Sequence, residues 1–208
     1  MFDYRFYNAP YKGDDGMFVP SDSSAKLVDL AVEYLAGYTD SRVADLCCGG
    51  GGFGLAIART LAGLSVTGVD SNPTAIRCAE ASKQLTPLLS PVWFFVGDCT
   101  DVLPLAAGFR LVVANPPWVP DGFVPPRTQW DRDEDLFGGP DGLGVSRRVV
   151  DNAARMLVPG GVLLLEHGDA DQGDTRTLDM VLKHGGFVHA RNLEGYTGVP
   201  EFVYAVRA

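Results

Sequence analysis

The sequence predicts an α/β fold in which seven strands form a mostly parallel sheet with helices on its faces. Three observations carry that prediction. Apolar strand-like runs alternate with helical patterns along most of the 208 residues. A glycine-rich turn, Gly49-Gly50-Gly51-Gly52, leads from the first of the predicted parallel strands straight into a helical pattern. The last two apolar runs are separated only by a Gly-containing turn, which leaves no room for a crossover helix and makes them an antiparallel hairpin.

The elements follow in order. Residues 1–22 carry Tyr4, Phe6, Tyr7, Tyr11 and Phe18, an unusually aromatic leading segment that either covers a ligand cleft or simply docks on the core. A helix is expected from about Ser24 to Leu35. Strands are expected near residues 42–47, 65–70, 92–96, 110–114 and 162–166, with helices between them, and the hairpin near residues 187–190 and 202–206. Residues 119–142 are rich in Pro, Gly and Asp and show no periodic pattern. Patternless stretches of this length are usually functional, so this one reads as an active-site loop, with Phe123 and Trp130 as candidate contacts or as anchors of the loop. Its acidic run, Asp131 to Asp135, reads most simply as a solvated face. Residues 1–208 are taken as one domain.

Composition bounds the function. Hydrophobic residues make up 46% and charged residues 21%, values ordinary for a globular fold. With 26 acidic against 17 basic residues the net charge is −9, which disfavours nucleic acid as a partner. No apolar stretch approaches membrane-spanning length and Met1-Phe2-Asp3-Tyr4-Arg5 is not a signal pattern, so a cytoplasmic protein with reduced cysteines is expected. The cysteines and histidines lack metal spacing, so no metal is predicted, and no nucleophile-elbow motif is present. Glu166-His167 reads as structural.

Two motifs carry chemistry. Asp45-Leu46-Cys47-Cys48-Gly49-Gly50-Gly51-Gly52-Phe53-Gly54 lets the backbone turn sharply and offers helix N-terminal N–H groups to a nucleotide-like cofactor. Asp70 ends the next strand where a cofactor ribose would lie, with Ser71 beside it; a turn or cap role is the alternative. Asp98, followed by Cys99, ends the third strand and suits an adenine amino group, although an Asp in such a turn is common without a ligand. Asn115-Pro116-Pro117-Trp118 follows the apolar run Leu111-Val112-Val113-Ala114. Asn115 Oδ1 and the Pro116 carbonyl form a compact pair of acceptors for a substrate –NH₂ group, and Trp118 adds a flat apolar face. Alone, the same residues would also serve as a strand terminator.

Taken together, the glycine loop, the acidic ends of strands two and three and the Asn-Pro-Pro-Trp motif resemble a class I S-adenosylmethionine-dependent methyltransferase with an N-directed site. Within that group the chain resembles the HemK/PrmC family of protein-glutamine N5-methyltransferases, which modify translation release factors. Leu136-Phe137-Gly138-Gly139-Pro140-Asp141-Gly142-Leu143, the run Pro159-Gly160-Gly161 to Glu166, and Val19-Pro20 followed by Leu27-Val28 carry the match from about Phe18 to the C-terminus. The resemblance implies the Rossmann-like class I fold with its terminal hairpin. It also implies S-adenosyl-L-methionine as cofactor, held by Asp45, Cys47, Gly49, Gly51, Asp70, Ser71, Asp98, Cys99 and Asn115. Asn115, Pro116 and Trp118 are then catalytic, with Phe18, Trp118 and Trp130 on the substrate side. Departures are Cys47 for the loop's first glycine, Trp118 for a tyrosine, Ser21, Ser23 and Ala25 for charged residues, and Glu201 for an arginine. The family's helical N-terminal domain has no room before Phe18.

The expected activity is therefore in-line methyl transfer to a primary amide or amino nitrogen of a small molecule or peptide, with no strong general base. Alternatives are a release-factor-type glutamine N5-methyltransferase, a nucleic-acid amino-methyltransferase, an NAD-dependent oxidoreductase suggested by Gly49-x-Gly51-x-x-Gly54, and a catalytically silent partner subunit. Oligomeric state is left open.

Overall fold

The computed structural model describes residues 1–98, 107–123, 133–168 and 175–208. Its main sheet has seven strands: β3 (Ser41–Leu46), β4 (Leu64–Asp70), β5 (Val92–Val96), β6 (Phe109–Ala114), β7 (Leu157–Glu166), β8 (Phe187–Glu194) and β9 (Pro200–Arg207). Their spatial order is β5-β4-β3-β6-β7-β9-β8. The first five are parallel, and β9 runs antiparallel to both β7 and β8. Strand order reverses between β3 and β6, which opens a crevice at the carboxyl ends of the strands.

Residues along the central strands alternate between two apolar layers, as both faces of a covered parallel sheet require. Val43, Val66, Leu111, Val113 and Leu164 pack beneath α1 (Ala25–Leu35), α2 (Gly52–Thr60) and α3 (Pro73–Lys83). Ala44, Leu46, Val112, Ala114 and Leu165 pack beneath α5 (Gly144–Met156) and α6 (Arg176–Lys183). No helix among the described residues is long and apolar enough to cross a membrane.

The structure extends the sequence reading at both ends. The leading segment contains a hairpin, β1 (Phe2–Phe6) and β2 (Ala9–Gly13), closed by Tyr7 and Asn8, both with positive φ. That is the twist of a tight hairpin turn without the glycine that usually announces it. The hairpin docks: Tyr11 is fully buried, its hydroxyl donates to the Gly52 carbonyl, and Phe6 meets Phe53 edge-on. Strand β7 begins at Leu157, five residues before the expected start, because the register shifts between Phe109 and Leu111 to accommodate Pro159-Gly160-Gly161. Within residues 119–142 the described parts, 119–123 and 133–142, touch one another. Val119 bridges Phe137, its N–H bonds the Leu136 carbonyl, and α4 (Asp133–Leu136) turns part of the expected solvated acidic run into helix.

Candidate functional site

The carboxyl ends of β3, β4, β6 and β7 surround a cleft of about 480 Å³. One side is the glycine loop. Gly51 has φ 78° and ends the loop as the N-cap of α2, a left-handed conformation that glycine takes without steric cost. A Cβ there would lie 2.6 Å from Phe94 Cζ, so the loop closes down on β5 only because position 51 lacks a side chain. Cys47 also has positive φ, 57°, at the position where the related motif has glycine.

Asp45 sits behind this loop. It is fully buried on β3, its Oδ2 accepts the Gly54 N–H at 2.8 Å, and it does not line the cleft. Desolvation pushes its carboxyl up to about 7, opposed by the Gly54 N–H. Its place is that of a brace for the start of α2. Asp70 does line the cleft. Its Oδ2 accepts the Gly49 N–H and its Oδ1 the Asn72 N–H, both at 2.8 Å, so the carboxylate is fixed in orientation by backbone donors. Burial raises its pKa and the two N–H groups oppose that rise. Each oxygen retains a lone pair for a second donor, which is what a ribose diol requires.

Cys47, Gly49, Ser71, Asp98, Asn115, Pro116, Trp118 and Phe18 share the cleft with Asp70. The structure thus brings most of the sequence-predicted site together, leaving Asp45 and Gly51 as supports beneath it. Cys99 and Trp130 lie outside the described residues. The carboxylates at the ends of β4 and β5, together with the backbone cradle, fit an adenosyl ligand: hydroxyl and amino donors would meet acceptors.

Asn115 and the two prolines close β6 on the other side of the cleft. Their support is the segment after α4. A Cβ on Gly138 would fall 2.2 Å from the Gly142 oxygen and 2.6 Å from the Pro117 oxygen, and one on Gly142 would fall 2.4 Å from the Trp118 oxygen. The Gly138 N–H donates to Val119, and Gly144 to Gly138. The glycines of Leu136 to Leu143 are therefore where two backbone segments touch, and they hold the Asn-Pro-Pro-Trp turn from behind. The Trp118 ring in turn packs against Gly168, where a Cβ would meet Cζ3 at 2.1 Å.

The cleft contains residues that sequence reasoning placed elsewhere. Glu166, read as structural, lines the cleft, and Ser24 Oγ donates to its Oε1 at 2.7 Å. Glu134, Asp135 and Arg148 line it as well. The signal that would have found Glu166 is its place at the end of the strand adjacent to β6.

Comparison with known proteins agrees with this geometry. The methyltransferase small domain model matches residues 14–128. The release factor glutamine methyltransferase of Bifidobacterium longum is 31% identical over 205 residues, covering 92% of this chain and 69% of that protein. The 4-amino-L-phenylalanine/4-methylamino-L-phenylalanine methyltransferase of Streptomyces pristinaespiralis is 35% identical over 174 residues, covering 79% and 56% respectively. Among solved structures, a release factor-specific protein-(glutamine-N5) methyltransferase from Alicyclobacillus acidocaldarius superposes with a TM-score of 0.52 at 22% identity, covering 91% of this chain and 94% of that one.

Proposed function

Because the chain belongs to the methyltransferase small-domain family and is a class I S-adenosylmethionine-dependent methyltransferase of HemK/PrmC type, we propose that it methylates a primary amide or amino nitrogen of a small molecule or peptide at Asn115. The observation that carries this reading is the convergence of Asn115 and Pro116 with the glycine loop and Asp70 on one cleft.

The cofactor supplies a methyl group already activated on a sulfonium, so the chain's task is to orient the acceptor and exclude water. Asp70 and Asp98 would accept the hydroxyl and amino donors of the adenosyl group, with Cys47, Gly49 and Ser71 against it. Asn115 Oδ1 and the Pro116 carbonyl would accept the two N–H bonds of the acceptor and aim the nitrogen lone pair at the methyl carbon. The rigidity of that pair comes from the fixed φ of Pro116 and Pro117 and from the Gly138–Gly142 backing. Trp118 would cover the acceptor with an apolar face and lower the local dielectric.

A second reading, transfer to the glutamine of a release factor, is favoured by the name of the Bifidobacterium longum relative. One experiment separates the two. Incubation with methyl-labelled cofactor and, in parallel, a purified release factor, total RNA and a small-molecule extract is expected to label the extract. Labelling of the release factor alone would return the chain to the second reading, and labelling of RNA would defeat both.

A further inference from the structure

Methyl transfer as described leaves Arg148 without a role, although it lines the cleft with Asn115. It is exposed, and its side chain forms no ion pair or hydrogen bond among the described residues. Its neighbour Arg147 is paired with Asp141 and lies outside the cleft. A guanidinium left unpaired in a cavity presents a planar fork of donors that matches a ligand carboxylate.

The fold puts Arg148 on the acceptor side. Along the order β5-β4-β3-β6-β7, Asp98 and Asp70 belong to the ends of β5 and β4, and Asn115 follows β6 beyond β3. Helix α5 packs on β6 and β7, and its two cleft-lining residues, Val145 and Arg148, are three apart and so share one helix face. The chain enters α5 from the Gly138–Gly142 segment, whose backbone meets the Pro117 and Trp118 carbonyls. Among the described cleft residues Arg148 is the one cation. Of the carboxyls, Asp70 and Asp98 are assigned to the adenosyl group. Burial pushes Glu166 up to about 7, and Ser24 holds its Oε1. That leaves Glu134 and Asp135 of α4 as the charges that share the acceptor side with Arg148. A ligand bearing a carboxylate alone is repelled by those two, whereas one with an ammonium beside its carboxylate meets both signs.

We propose that Arg148 selects the acceptor: its guanidinium takes the α-carboxylate of a free amino acid, Glu134 and Asp135 face the α-ammonium, and a side-chain nitrogen is delivered to Asn115. The proposal rests on the N-methyltransferase reading and narrows its acceptor from small molecule or peptide to a free amino acid with nitrogen in its side chain. A residue inside a peptide carries neither charge and leaves the guanidinium without its partner, the kind of mismatch by which polar sites reject analogues.

The test uses the full chain, methyl-labelled S-adenosylmethionine, and two free amino acids, L-glutamine and 4-amino-L-phenylalanine, each beside its α-N-methylamide, which lacks the carboxylate, and its N-acetyl form, which lacks the ammonium. Glycyl-glutaminyl-glycine is the peptide probe. The wild type should show a KM for at least one free amino acid lower by about tenfold or more than for its methylamide, the worth of one charge-assisted hydrogen bond. Arg148→Ala should erase that preference with little change in kcat, and Arg148→Lys should restore part of it. Glu134→Gln with Asp135→Asn should bring the N-acetyl and free forms to similar KM values. Calorimetry with S-adenosylhomocysteine should give the same affinity for Arg148→Ala and the wild type within about twofold, which separates an acceptor contact from a folding defect. Equal wild-type KM values for acid and methylamide, a preference that survives in Arg148→Ala, weakened S-adenosylhomocysteine binding by that variant, or a wild type that binds S-adenosylhomocysteine and takes the peptide or neither free amino acid overturns the proposal. Failure of the wild type to bind S-adenosylmethionine would instead overturn the reading beneath it.

Discussion

Trp118 and Gly168 show how much of the site depends on single positions. The ring occupies the space a side chain at 168 would need, so Gly168→Ala should displace the indole without altering any proposed contact residue. Overpacking of this kind costs about 1–3 kcal/mol. Steady-state kinetics should show a raised acceptor KM, while calorimetry shows cofactor affinity within about twofold of wild type, because the proposed function assigns the ring to the acceptor and not to the cofactor. A variant that loses cofactor binding as well would remove Trp118 from that side. Asn115, Trp118, Asp70 and the glycine loop were legible in the sequence because each follows an apolar strand run at once. Glu166 was not. A carboxylate at a strand end is common, and what distinguishes this one, an adjacent Asn115 and an orphaned Oε2, exists only after β6 and β7 pair.

At the scale of elements, the loop from β3 to α2 is the part most sensitive to a side chain. Gly51→Ala adds the left-handed cost of about 1–2 kcal/mol. It also sets a methyl against Phe94 and Ala79. The expected result is a lowered melting temperature and a loss of cofactor affinity together, measured by thermal unfolding and calorimetry; an unchanged affinity would show that the loop does not hold the cofactor. The parallel strands were readable because both faces of each are apolar. The hairpin β1–β2 was not, because Tyr7 and Asn8 take positive φ without glycine, and its aromatic residues suited a cover as well as a dock. The acidic stretch looked solvated, and its last three residues, Asp133 to Asp135, enter α4 with Leu136, whose carbonyl takes the Val119 N–H while Gly138 donates to Val119 across the loop base.

For the whole molecule, the buried carboxyls make stability depend on pH in a defined direction. Asp45 is raised from 3.8 to about 7, so between those values the folded state holds a proton that the unfolded state has released. Its contribution is fully present below about pH 4 and is lost as pH rises through about 7. Glu166 acts in the same sense. Asp141, held at about 2 by Arg147, acts oppositely, and its contribution disappears only as pH falls from about 4 towards 2. Melting temperature is therefore expected to decline from pH 5 to pH 8, and Asp45→Asn should flatten that decline. A wild-type melting temperature that rises across this range would contradict the buried state of Asp45. The N-terminal and C-terminal parts are joined by one carboxylate: Tyr7 donates to Asp29 Oδ1 at 2.8 Å and Tyr196 to Oδ2 at 2.6 Å. This pairing ties the β1–β2 hairpin and the β8–β9 turn to α1, and no local pattern in the sequence could have placed those three residues together.

The central claim is that Asn115 presents an acceptor nitrogen to the methyl group of S-adenosylmethionine, and locating the transferred methyl tests it most directly. Wild type and Asn115→Ala would be incubated with methyl-labelled cofactor and the acceptor mixture, and the labelled product resolved by mass spectrometry and NMR. The account predicts label on an amide or amine nitrogen with the wild type and, with Asn115→Ala, a rate lower by about 100-fold or more at nearly unchanged cofactor affinity. Label on carbon, oxygen or sulfur, or undiminished labelling by Asn115→Ala, would contradict it.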